Sequence, residues 1–119
     1  MTLPELYDTI HGNYAEAKTR LMNDRLIDRF VLKFPADPTM QGLIAAVDAG
    51  DTNAAFAAAH TMKGVAANLA FTELSERASA LTEQLRPRTE PVDAQLYDLV
   101  LQSYTATINA IKAYEAQKA

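Results

Sequence analysis

Asn53-Ala54-Ala55-Phe56-Ala57-Ala58-Ala59-His60-Thr61-Met62-Lys63-Gly64-Val65-Ala66-Ala67-Asn68-Leu69 is the stretch whose reading settles the fold. Projected at about 100° per residue, Ala55, Ala58, Ala59, Met62, Val65, Ala66 and Leu69 share one broad apolar arc. Phe56, His60, Lys63, Gly64 and Ala67 fall on the opposite face. The first set predicts a core face, because an amphipathic helix gains its stability by burying its apolar stripe. Small side chains on that stripe favour closely packed helices, since alanine combines high helix propensity with little volume.

Working outward, the flanks repeat the helical pattern. Asp51 or Thr52 is placed to cap the helix, and Gly50 stands where a preceding helix would end. Upstream, Met40, Leu43, Ile44 and Val47 keep helical spacing from about Thr39. Leu26, Ile27, Phe30, Val31 and Phe34 do the same, with Asn23 or Asp24 as the cap, until Pro35 and Pro38 interrupt them. A short segment from Leu3 to Ile10, with Pro4 near its start, and another from Tyr14 lie on either side of Gly12-Asn13. Downstream, a helix from Thr72 to Leu85 is followed by a linker, Arg86 to Glu90, between Pro87 and Pro91. The last helix, about Val92 to Gln117, is built on Leu96, Leu99, Val100, Tyr104, Ile108, Ile111 and Tyr114. Five or six helical segments and no strand predict an all-α fold. Short connections between long amphipathic helices imply an antiparallel up-and-down bundle.

The chain has 119 residues, room for one domain. It is 49% hydrophobic and 22% charged, which suits a globular domain and excludes a disordered one. There is no cysteine and only two histidines, so disulfides and classical zinc sites are not expected. The net charge of −4 comes with no basic stripe, which argues against nucleic acid as a partner. Met1-Thr2-Leu3-Pro4-Glu5 lacks the charged start of a signal peptide, and no apolar run is long enough to cross a membrane. A cytoplasmic location is the expectation.

The polar face of the central helix carries the chemistry. His60 points away from the apolar arc, so its neutral imidazole is an accessible nucleophile near neutral pH. Taken alone, it reads equally as a surface histidine without a role. Lys63, one turn further on, is within reach of any group attached to His60. Gly64 is the odd choice: a glycine inside a helix costs about 1 kcal/mol relative to alanine, and alanine is abundant here. Its lack of a Cβ admits a close backbone approach, by a crossing helix or by a partner. Phe56 and Ala67 flank the same face; Phe56 either lines a docking patch or packs on a neighbouring helix. His11 sits beside the Gly12-Asn13 break with no set of partners and reads as incidental.

Ala59-His60-Thr61-Met62-Lys63-Gly64-Val65-Ala66-Ala67-Asn68-Leu69-Ala70 resembles the signature of histidine-containing phosphotransfer (HPt) domains, roughly A-H-x-L-K-G-x-x-x-x-L-G. Met62 replaces the usual leucine, and Ala70 stands where glycine is common, which puts the turn geometry in doubt. The resemblance implies a four-helix bundle with a short N-terminal helical extension: a single HPt domain over 1–119, with cap helices over about 1–22 and the bundle over about 23–118.

It further implies that His60 accepts a phosphoryl group from the aspartyl phosphate of a receiver domain and passes it to another receiver. The partners would be the receiver domain of a hybrid histidine kinase, a response regulator, or both. The chain would carry phosphate without an ATP or metal site of its own, the Mg²⁺ being expected on the receiver. Lys63 would neutralise the phosphoryl group. Phe56, Gly64 and Ala67 would form the docking patch, and Gln84, on the hairpin partner helix, could hold the non-reacting ring nitrogen of His60. A monomer is expected. Two alternatives stay open: the phosphoacceptor domain of a chemotaxis-type kinase, and a non-catalytic helical adaptor. Self-phosphorylation from ATP is disfavoured, because Thr61 stands where histidine kinases carry an acid and no glycine-rich phosphate loop is present.

Overall fold

The computed structural model describes residues 1–118, and among them the regular structure is entirely helical. Helices α1 (Leu3–Thr9), α2 (Tyr14–Leu21) and α3 (Asp24–Lys33) lead into a 3₁₀ turn, Phe34–Ala36. Then follow α4 (Thr39–Asp48), α5 (Thr52–Asn68), α6 (Thr72–Leu85) and α7 (Ala94–Lys118). Seven α-helices therefore form where five or six were expected. The break between α2 and α3 falls where it was expected, with Met22 left-handed at φ +78° and Asn23 as the cap of α3.

The starts are fixed by side chains that satisfy orphan backbone donors. Thr2 and Glu5 form a reciprocal capping box on α1. Asn13, Asn23 and Asp51 accept from the third residue beyond them in α2, α3 and α5. Asp93 does the same for Leu96 at the start of α7. The α6 start has no side-chain cap; its Phe71 is instead buried edge-on against Phe34, 5.2 Å between ring centroids.

α5 packs most extensively on α6, with α4 against α5 and α7 against α6. α5 buries Ala55, Ala59, Met62 and Ala66; α6 buries Leu74, Ala78, Leu81 and Leu85. Alanines along this seam let the two backbones come close. Ala58 and Val65, at the margins of the predicted arc, are only half-buried, so the core stripe is narrower than the wheel suggests. Thr82 and Thr107, buried polar residues of α6 and α7, donate to carbonyls one turn back. No buried side-chain polar atom among the described residues lacks a partner.

The N-terminal helices clamp the α5–α6 turn. The Tyr7 hydroxyl donates to Leu69 O at 2.8 Å, Asn13 N–H to Ala70 O at 2.9 Å, and Glu73 N–H to His11 O at 3.3 Å. Tyr7 is fully buried between Tyr14 and Phe71, and this burial pushes its hydroxyl pKa up, keeping it a donor. The turn itself relies on Ala70 at φ +57°, a left-handed conformation that costs an alanine about 1 kcal/mol. Alanine thus still makes the turn, with the clamp holding it there. At the other end of the chain, Asp28 of α3 accepts from Tyr114 and Lys118 of α7. Burial works against ionised Asp28, but these two donors outweigh it and hold its pKa below the usual carboxylate range.

Gly12 lets the clamp close. A Cβ there would lie 2.8 Å from Tyr7 Cδ2 and 2.9 Å from Ala70 O. Gly12→Ala is therefore expected to lower unfolding stability by about 1–3 kcal/mol, read from urea denaturation. An unchanged midpoint would contradict this account of the clamp.

Candidate functional site

Because α5 buries the stripe through Ala55, Ala59, Met62 and Ala66, the stripe opposite must face out. His60 is exposed there, with no hydrogen-bond partner among the described residues. One turn earlier, the half-buried Phe56 lies parallel to the imidazole, with 2° between planes and 6.0 Å between centroids. One turn later, Lys63 is half-buried by its stem. Gly64 is exposed, and a Cβ added to it would meet nothing within 4 Å. No helix of this chain crosses at Gly64, so the intramolecular reason for a glycine is removed. Ala67 is half-buried further along the same face. Thr61 donates its hydroxyl to Ala57 O, one turn back, and supplies no acid or base beside the imidazole.

α6 braces this face. Ser75 Oγ donates to Lys63 O at 3.2 Å, tying the two helices at the lysine. Near its other end stands Glu83, which the Arg86 guanidinium grips at 2.8 and 3.0 Å. That hydrogen-bonded pair holds the Glu83 pKa below the usual carboxylate range; slight desolvation opposes it, and the charges of Arg86, Lys63 and His60 reinforce it. Glu83 is therefore an α6 side chain within electrostatic reach of Lys63 and His60.

Gln84 is not the residue that holds the imidazole. Its Nε2 donates to Pro91 O and its Oε1 accepts from Asp93 N–H, both at 3.0 Å. Both ends of the amide pin the α6–α7 linker. A single residue turns a helix by about 100°, which swings Gln84 toward the α7 side and leaves Glu83 within electrostatic reach of His60. Arg77 likewise belongs to the α7 side, 3.7 Å from Glu73 and beside Leu99 and Gln102.

Sequence reading missed two neighbours of the site, Glu83 and Arg88. Arg88 lies in the linker after α6, with its guanidinium carbon 4.1 Å from the Phe56 ring centroid; that of Arg86 is 5.4 Å away. The available signal was the pair of arginines around Pro87, in a linker that an antiparallel hairpin returns to the level of Phe56. Further along α5, Val65 and Leu69 form one wall of a groove of about 530 Å³, with Phe30 and Phe34 in its lining and Arg20 and Lys33 as its cations.

Chemically, the face offers an accessible imidazole, a lysine one turn away, arginines on a neighbouring aromatic ring, and an open strip over Gly64. Among the described residues, no three His, Asp or Glu side chains converge to hold a metal ion, and no helix is long and apolar enough to cross a membrane. Residues 30–114 match the family model of the Hpt domain. No curated protein and no solved structure gives a match. The family match runs from α3 to α7 and covers well over half of the sequence, so this chain belongs to the Hpt domain family, whose members carry phosphoryl groups in phosphorelays.

Proposed function

We propose that His60 is the phosphoacceptor and that the chain shuttles a phosphoryl group between receiver domains. The observation that carries this reading is the pairing of an exposed, unpartnered imidazole with a glycine that faces open space one turn on. A helix-interior glycine that serves no packing inside the chain leaves room for the backbone or loops of a partner.

In the forward step, a ring nitrogen of His60 attacks the phosphorus of a receiver's aspartyl phosphate. The N–P bond forms as the acyl P–O bond breaks, and the aspartate carboxylate leaves with the electron pair. The reverse sequence loads a second receiver. The receiver supplies the carboxylate and the Mg²⁺, and this chain supplies nucleophile, docking surface and local cations. Lys63 neutralises part of the phosphoryl charge, about −1.5 to −2 at neutral pH. Phe56, Gly64 and Ala67 form the centre of the docking patch.

The partners are receiver domains of a hybrid kinase, a response regulator, or both, with the protein acting as a cytoplasmic monomer. The bundle arrangement in this reading is up-and-down and antiparallel. Its support is the succession of neighbours α4–α5, α5–α6 and α6–α7 across short connections. Residues 1–22 form its cap and 23–118 its body.

Incubation with a phosphorylated receiver and Mg²⁺ should place acid-labile, base-stable phosphate on the wild type and none on His60→Gln. Labelling that survives His60→Gln would remove the site assignment. Gly64 separates stability from function. Gly64→Ala should raise unfolding stability by about 0.5–1 kcal/mol, because its Cβ meets nothing. Gly64→Gln should slow transfer roughly ten-fold or more with helicity by circular dichroism intact. Transfer at the wild-type rate in Gly64→Gln would sink the close-approach argument.

A further inference from the structure

We infer that Arg88 is a second cation for the phosphoryl group, held ready on the Phe56 ring and moving onto the phosphohistidine when His60 is loaded. This rests on the reading of His60 as the phosphoacceptor and adds a residue to it. The distances of 4.1 Å from Arg88 to Phe56 and 6.0 Å from Phe56 to His60 place the guanidinium carbon within about 10 Å of the imidazole centroid. Arg88 is exposed, so rotation of its long side chain is the movement this inference requires.

The backbone at Arg88 is anchored. Its N–H donates to Leu85 O at 3.0 Å, and its φ of +57° turns the chain sharply past the end of α6. That turn carries the side chain back over α5. Arg88 also differs from Arg86 in what it already holds. Arg86 commits two nitrogens to Glu83, whereas Arg88 has no carboxylate within 4 Å among the described residues. Its fork of donors is therefore available for a bidentate contact with a tetrahedral oxyanion. A cation over a half-buried aromatic ring at the surface is held only modestly. A charge-assisted pair of hydrogen bonds to a dianion is the stronger alternative, so loading His60 draws the guanidinium across.

The charge balance of the face agrees. Lys63, Arg86 and Arg88 contribute three positive charges and Glu83 one negative, an excess of two positive charges around His60. A phosphoryl dianion cancels that excess. Without Arg88, the Glu83 carboxylate and the phosphoryl group would share only Lys63 and an arginine already paired.

The 119-residue chain loaded with phosphoramidate gives a direct test. A ring nitrogen of His60 displaces ammonia from the reagent's phosphorus, so no receiver is needed. The phosphorus NMR shift is then followed against pH. Arg88→Ala should raise the phosphoryl pKa by about half a pH unit, a roughly three-fold gain in proton affinity. Arg88→Lys should restore most of the difference. Arg77→Ala removes the same charge from the α7 side of α6 and should leave the titration at the wild-type value. An Arg88→Ala curve that overlays the wild type, or an Arg77→Ala shift as large, overturns the assignment while leaving His60 as acceptor. Failure of the wild type to load, or loading of His60→Gln, brings down the His60 reading and this inference with it.

Discussion

The seam between α5 and α6 is the constraint on which the rest depends. α5 contributes Ala55, Ala59, Met62 and Ala66 to it, and α6 contributes Leu74, Ala78, Leu81 and Leu85. One stripe of α5 is thereby fixed inward, and rotation of the helix is no longer free. The outward direction of His60, Lys63 and Gly64 follows from that fixed stripe, not from any contact of their own. A helix whose polar face is aimed by its buried face needs no further scaffold to present a nucleophile to a partner.

The seam would be of little use if its ends could shear. The α1–α2 segment prevents this at the turn. Tyr7, Asn13 and His11 all bond to the backbone around Leu69 to Glu73, and Gly12 lets them come close enough. The left-handed Ala70 shows what the clamp is worth: without it, alanine would favour another conformation at that point. At the other end of the hairpin the Gln84 amide fastens the linker to α7, and Arg88 closes α6 with its own backbone. The face that carries His60 lies between two fastened ends, as a site does when its supporting shell is rigid.

Much of this was legible in the sequence, and the parts that were not have physical reasons. The α5 periodicity and its caps are local, so its two faces and the residues on them could be read directly. Gly64 stood out because helix propensity makes a glycine among alanines anomalous, and the structure removes the packing explanation for it. Gln84 was misread because hairpin level is set by sequence distance from the turn, whereas facing is set by rotation, and one residue changes facing by more than a quarter turn. Arg88 was missed because a linker has no period; only the tertiary return of the chain brings it over Phe56. The clamp was equally hidden. The family match begins at Phe30, so α1 and α2 lie outside the signature, and their role depends on contacts some sixty residues away in the chain.

Two histidines give the central claim a clean internal contrast. His60 sits on the outward face of α5, while His11 sits in a left-handed turn 3.9 Å from Glu73. The most direct measurement is site-resolved mass spectrometry of the protein after exposure to a phosphorylated receiver, under conditions that preserve phosphohistidine. The account predicts a single phosphoryl increment, carried by the fragment that contains His60 and absent from the fragment that contains His11. A phosphoryl group on His11, or on any residue other than His60, would contradict it.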